Sequence, residues 1–216
     1  MDKHSRRSAD IKNLGIQNLL TPATHQLVNN LDSETYNHCC RLSLKAKDFG
    51  VYLQLSSQEI RFLILGAYFH DIGKALIPKG ILNKPTVLTH QEWKIIKSHP
   101  EIDNTVLGFP SDLEAIVPII QCHHEHWDGS GYPHGLTKEK IPYLARVVQI
   151  LDIYDALTHK RSYKKTFSQE KAIAIIHNET ARGWYQPALI VQFTHFIRKL
   201  TQRTPTLISF AVLNIA

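Results

Sequence analysis

No stretch of this sequence is apolar and long enough to cross a bilayer, and the charged opening MDKHSRRSADIKNLG has no apolar segment behind it, so neither a membrane span nor a secretory signal is expected. Cysteine is scarce. The three residues, Cys39, Cys40 and Cys122, are odd in number and two are adjacent, which excludes a secreted disulfide framework and points to a reduced, cytoplasmic protein. Aromatic residues make up 9% of the chain and no basic run carries interleaved aromatics, so a nucleic-acid polymer is not expected as a partner. Lysine and arginine outnumber the acidic residues by 25 to 19, and the resulting +6 favours encounter with an anionic ligand while also aiding solubility. Internal repeats, low-complexity segments and convincing period-two strands are missing as well.

What is present is enough for one core: 216 residues, 43% of them hydrophobic. Hydroxyl residues with glutamate three positions later mark helix starts at Ser56 with Glu59, Thr89 with Glu92, and Ser111 with Glu114. Ile60, Leu63, Ile64 and Ala67 share one helical face, as do Ile116, Ile119 and Ile120, and Ala145, Val148, Leu151 and Ala156 mark a helix after Pro142. Further helices are expected at about residues 34–48, 168–180 and 187–200, so the fold class is all-α. The expected organisation is an N-terminal arm at 1–31 that packs on the body, a helical catalytic domain at 32–204, and an apolar tail at 205–216, PTLISFAVLNIA, that docks on the core, with a strand-like partner contact, such as in a homodimer, and an exposed patch as the alternatives.

Histidine is the outlier, at 13 residues. His70 and Asp71 end the apolar run FLILGAYF, His123 and His124 end AIVPIIQC, and Asp152 interrupts RVVQILDIYDAL. A charged group on a core-facing helix costs several kcal/mol unless it is paired or bound to metal. Three such insertions into three core faces point to one shared centre. Glu34 and His38 are four apart and share a helix face, and His99 precedes Pro100 at a helix end. For any one of these histidines a hydrogen-bonded structural role is the plainer reading; the set across separate helices favours metal. Imidazoles mixed with carboxylates suit iron, manganese or zinc, and the lack of thiolates argues against a structural zinc cluster. Between residues 123 and 133 the run HHEHWDGSGYP places Gly129, Gly131 and Pro133 in a structured loop after a helix end.

HDIGK at 70–74 together with HHEHWDGSGYP resembles the HD-GYP family, a subgroup of the HD phosphohydrolases. His38 with Arg41, the segment EWKIIKSHP and the segment ARVVQILDIYDALTHKRSYKK are similar to further motifs of that family, and the likeness spans about residues 33–195. The resemblance implies a single HD-type helical bundle with a multinuclear metal centre, holding two or three divalent ions, iron first and manganese second. It implies ligation by His38, His70, Asp71, His99, His123, His124 and Asp152, with Glu34 matching the members that hold a third ion. Asp71 and Lys74 would carry the catalysis, and Lys74, Tyr132, Arg161 and Lys164 would face the substrate and its phosphates. Glu125, Asp128 and Asp155 would orient ligands or hold the loop. The implied activity is hydrolysis of cyclic di-GMP to pGpG, and to GMP where a third ion is held, in bacterial signalling, with diguanylate cyclase domains as further partners. Two alternatives stay open: another cyclic dinucleotide as substrate, and a module that binds the dinucleotide without cleaving it. The sequence departs from the family where Asp103 stands in place of a glycine and Gln186 in place of an aspartate before Pro187, which puts local loop geometry in doubt and leaves the ligands untouched.

Overall fold

A computed structural model describes residues 20–159 and 166–203, and every regular element among them is a helix. The tail at 205–216 and most of the arm lie outside the described residues. Helix α1 (Pro22–Asn30) starts on Thr21, whose hydroxyl accepts from the amide of Thr24, and α2 (Ser33–Tyr52) starts on Asp32, whose carboxylate accepts from the amides of Glu34 and Thr35. The Ser56–Glu59 signal forms a reciprocal capping box at the head of α3 (Ser57–Phe69). After a short helix α4 (Lys79–Leu82), Thr89 and Glu92 form the same box at the head of α5 (His90–Lys97). Each such cap contributes about 1 kcal/mol. Then come α6 (Asn104–Leu107), α7 (Val117–Cys122), α8 (Tyr143–Thr158), α9 (Gln169–Ala181) and α10 (Pro187–Arg203).

The expected helix start at Ser111 takes another form. Ser111–Ile116 is a 3-10 turn without a side-chain cap, and Glu114 instead accepts from the side chain of Asn104 at 3.1 Å. Pro118 explains the difference: it has no N–H to give the Glu114 carbonyl, and its ring would crowd that carbonyl, so the α-helix begins only at Val117, where a proline in the first turn is tolerated.

Helix α2 lies along α3, α8 packs across both, and α9 and α10 close the far side. Phe49 on α2 meets Phe193 and Phe196 on α10 at ring separations of 5.3 and 4.9 Å, and Phe49, Phe69 and Phe193 are fully buried. Truncating one of them to alanine would cost about 3–5 kcal/mol. Helix α1 joins the body through Leu27 and Val28 in the core and through the Thr24 hydroxyl, which donates to the Leu107 carbonyl. At the centre the apolar packing is interrupted by His38, His70, Asp71, His99 and His123, each at most 3% exposed. No described helix is long and apolar enough to cross a membrane.

Candidate metal centre

Each buried imidazole is held from behind by its Nδ1. His70 ends α3 and donates to the carbonyl of Ala67 at 2.8 Å; His99 follows α5 and donates to Ile96 at 2.8 Å; His123 ends α7 and donates to Ile120 at 2.7 Å. In all three the partner is three residues back, so a helix C-terminus both supplies the acceptor and points the ring into the core. A carbonyl can only accept, so Nδ1 carries the proton and the neutral ring presents a lone pair at Nε2. His38, on α2, is held by a carboxylate instead, with Nδ1 2.7 Å from Asp155 Oδ2. Asp155 is fully buried and also accepts from Arg41 at 2.9 Å and Lys45 at 3.2 Å.

The donor atoms form two groups that share no residue, and a third, Cys39 with His70 and Asp71, overlaps both. Asp71, His99, His123 and His124 form one; His38, His70 and Asp152 form the other; within each the ligand atoms lie within 4.8 Å of one another, close to the span of about 4 Å across one divalent ion. Asp71 sits between them: Oδ1 is 3.1 Å from His99 Nε2 and 4.0 Å from His123 Nε2, while Oδ2 is 3.4 Å from His70 Nε2. His38 Nε2 is 3.0 Å from Asp152 Oδ1. The fit to metal rests on the unmet needs of these atoms. The Nε2 atoms of His38, His70, His99 and His123 and Oδ1 of Asp71 are buried with no hydrogen-bond partner, each an expense of about 1–3 kcal/mol that an ion would remove.

The charge states of His123, His124 and Asp71 suit ligation. Burial, together with the neighbouring rings of His124, His70 and His99, holds His123 well below the ordinary imidazole range, and burial with His99 pushes His124 down to about 3, so both are neutral near pH 7. Burial acts to raise the Asp71 carboxyl, yet Lys74 and His70 outweigh it and hold the group well below the usual carboxylate range. For His38, burial acts downward and the Asp152 and Asp155 carboxylates outweigh it, raising the ring to about 9, so His38 must give up a proton to bind an ion near pH 7.

Other expected site residues surround this core. Lys74 Nζ is 2.7 Å from Asp71 Oδ2. Tyr132 stacks on the His124 ring at 4.7 Å with 21° between planes. Glu34 is exposed and outside both donor groups, but with Asp32, Thr35, His38, Asp71, Lys74, Leu82 and Asn83 it lines a cleft of about 100 Å³ that opens onto them. Arg161 and Lys164 lie outside the described residues. The expected helper carboxylates divide their work: Asp155 orients His38, whereas Glu125, fully buried, accepts from the amides of His134 and Leu136 and Asp128 accepts from that of Ser130, so these two hold the loop. Two glycines are required by close approach. A Cβ on Gly73 would collide with the His99 carbonyl, and one on Gly131 with the amide of His126, so the HDIGK turn and the loop both ride on neighbouring backbone.

Sequence reasoning did not single out Lys97, whose ammonium lies 5.1 Å over the Tyr132 ring; its place two residues before His99 was the available signal. It also missed what the two departures do. Asp103 caps α6, accepting from the amides of Thr105 and Val106, and Gln186 accepts from Arg146 at 2.7 Å.

Residues 22–189 match the family model described as "HD domain". Over 132 residues the chain is 39% identical to the cyclic di-GMP phosphodiesterase response regulator RpfG of Xanthomonas campestris, covering 60% of this chain and 35% of that protein. It is 34% identical over 188 residues to the 3'3'-cGAMP-specific phosphodiesterase 2 of Vibrio cholerae, covering 83% and 36%. The chain thus spans about a third of the length of these relatives. The crystal structure of the HD domain of the L. monocytogenes phosphodiesterase PgpH superposes with a TM-score of 0.56 at 18% identity, over 84% of this chain and 98% of that one, and so shares its fold. With the matched residues running from the start of α1 into α10 and taking in every described donor, the chain belongs to the HD domain family.

Proposed function

We propose that this chain is a metal-dependent phosphodiesterase that hydrolyses cyclic di-GMP to pGpG, and on to GMP where a third ion is held. The observation that carries the reading is the Asp71 carboxylate, with one oxygen toward His99 and His123 and the other toward His70, between two groups of unsatisfied donors. His38, His70 and Asp152 would hold one ion, His99, His123 and His124 another, and Asp71 would serve both; bound there, iron or manganese would polarise a phosphodiester and provide an activated water at neutral pH. The chain's own groups do the rest. The anchored Nδ1 atoms keep the rings from turning, so the donors are oriented before substrate arrives. Lys74 holds Oδ2 of Asp71 and places a positive charge beside the phosphoryl oxygens. Tyr132 backs the His124 ring, and Arg161 and Lys164 would add cations for the substrate phosphates. Glu34, at the cleft mouth, would hold a third ion and so favour GMP as the end product.

The relative named for cyclic di-GMP supports this substrate. The one named for 3'3'-cGAMP supports a second reading, in which the bases differ and the chemistry is the same. In this reading residues 32–204 form the catalytic domain, three free cysteines suit a reducing cytoplasm, and diguanylate cyclase domains or a second copy are the candidate protein partners.

The test is incubation of anaerobically purified protein, loaded with iron or manganese, with cyclic di-GMP, following products by chromatography beside Asp71→Ala. Product from the wild type alone supports the enzyme. Equal turnover by Asp71→Ala sinks the mechanism, and turnover of 3'3'-cGAMP but not cyclic di-GMP moves the substrate to the second reading.

A further inference from the structure

Lys97 is the last residue of α5, two before His99. Its ammonium stands 5.1 Å over the Tyr132 ring, and that ring lies 4.7 Å from His124, a member of the donor group built around Asp71. The lysine ion pairs among the described residues are those of Lys45, Lys74 and Lys84. Lys74 is thus committed to Asp71, while Lys97 has no carboxylate partner among the described residues. A cation over an exposed aromatic face gains only about 0.5–1 kcal/mol and leaves the ammonium's donors free. The layers His124, Tyr132 and Lys97 therefore lead from the donor groups outward to an uncommitted positive charge at the rim of the site.

The proposed substrate has two phosphodiester groups, each carrying one negative charge, and only one can sit on the metals at a time. The second lies across the same small ring and needs a counter-charge at a short remove from the donor groups. We propose that Lys97 binds this second, uncleaved phosphate and so gives the site its preference for cyclic dinucleotides over simple phosphodiesters. The assignment rests on the phosphodiesterase reading above and adds a specificity-determining residue to it.

The test compares wild type, Lys97→Met and Lys97→Arg, all metal-loaded, on cyclic di-GMP, 3'3'-cGAMP and bis(p-nitrophenyl) phosphate, which has a single phosphodiester. Loss of one charge-assisted hydrogen bond at an exposed site corresponds to about a tenfold change in affinity. In Lys97→Met, KM for cyclic di-GMP should rise about tenfold with kcat moving far less. The loss should exceed that on bis(p-nitrophenyl) phosphate several-fold, and Lys97→Arg should recover most of it. KM of the wild type should also climb more steeply with salt than that of Lys97→Met. Equal losses on the cyclic and the simple substrate would overturn the assignment and leave Lys97 as a prop for Tyr132. A loss on cyclic di-GMP much larger than on 3'3'-cGAMP would overturn it too, because a phosphate contact cannot tell the bases apart. If wild type cleaves bis(p-nitrophenyl) phosphate but neither cyclic dinucleotide, the substrate reading itself fails and the assignment falls with it.

Discussion

Asp155 Oδ2 lies 2.7 Å from His38 Nδ1, and that contact decides which nitrogen of His38 faces the centre. The same buried carboxylate collects Arg41, Lys45 and His159. Asp155→Ala should release the His38 ring and leave the Arg41 and Lys45 charges without their shared partner, while touching no donor directly. Removing a partner of this kind commonly costs about 10–100-fold in metal affinity. Metal content after dialysis, read beside circular dichroism, checks this; an unchanged stoichiometry and affinity in a folded variant would show that His38 is oriented by something else.

Gly73 presses its Cα against the backbone of His99, so the two donor-bearing turns that follow α3 and α5 are set by direct contact. Gly73→Ala must push them apart. Overpacking of this sort costs about 1–3 kcal/mol, and the displaced His99 should also weaken the donor group with Asp71. Thermal unfolding and manganese titration of the variant should both report losses. A variant that lost stability but bound metal as before would mean the His99 turn moves as a rigid piece with the site.

Much of this was legible in the chain, for local reasons. The capping boxes at Ser56 and Thr89 are fixed by residues three apart, so they can be read without a fold, and Pro142 opens α8 by the same logic. Polar pairs at the ends of apolar runs gave away His70, Asp71, His123 and His124, because burying such groups has few explanations. Ser111 misled because the capping pattern ignores Pro118 seven residues on. Lys97 and the link between Gln186 and Arg146 stayed hidden because each depends on elements distant in sequence meeting in space. Spacing could not say how the donors divide into two groups either, since that depends on how α2, α3, α7 and α8 cross.

Metal should hold this fold together as well as serve its chemistry. Five buried donor atoms lack hydrogen-bond partners, so an ion that satisfies them binds the folded state and not the unfolded chain. Stabilisation of about 4 kcal/mol is expected at a free-metal concentration about 1,000 times Kd, visible as a rise in Tm with added manganese and a fall with chelator. His123→Ala should blunt the shift. A melting temperature that ignores both metal and chelator would mean the donors are satisfied in some other way.

Gln186 offers a gain in stability far from the donors. Its Oε1 accepts from Arg146 Nη1 at 2.7 Å; Arg146 is 9% exposed, with its guanidinium 5.4 Å from the Trp127 ring centre and 5.2 Å from that of Tyr143. The hydrogen-bond partner of this largely buried cation is thus neutral, and burial lowers its pKa from the ordinary arginine value against the opposing charge of Glu139. Gln186→Glu keeps the side-chain length and makes the partner charged. Exchanging a neutral for a charge-assisted hydrogen bond should add about 1 kcal/mol, or about 2–4 °C in Tm for a chain of this size. The sign with pH follows from the pairing: Arg146 would depress the pKa of the new carboxyl in the folded state, so the gain should be present above the ordinary glutamate value of about 4.3 and vanish as pH falls through the depressed one. Thermal unfolding of both proteins at pH 7 and at low pH checks it. A lower Tm at pH 7 would mean that the cost of desolvating the new carboxylate exceeds what Arg146 returns.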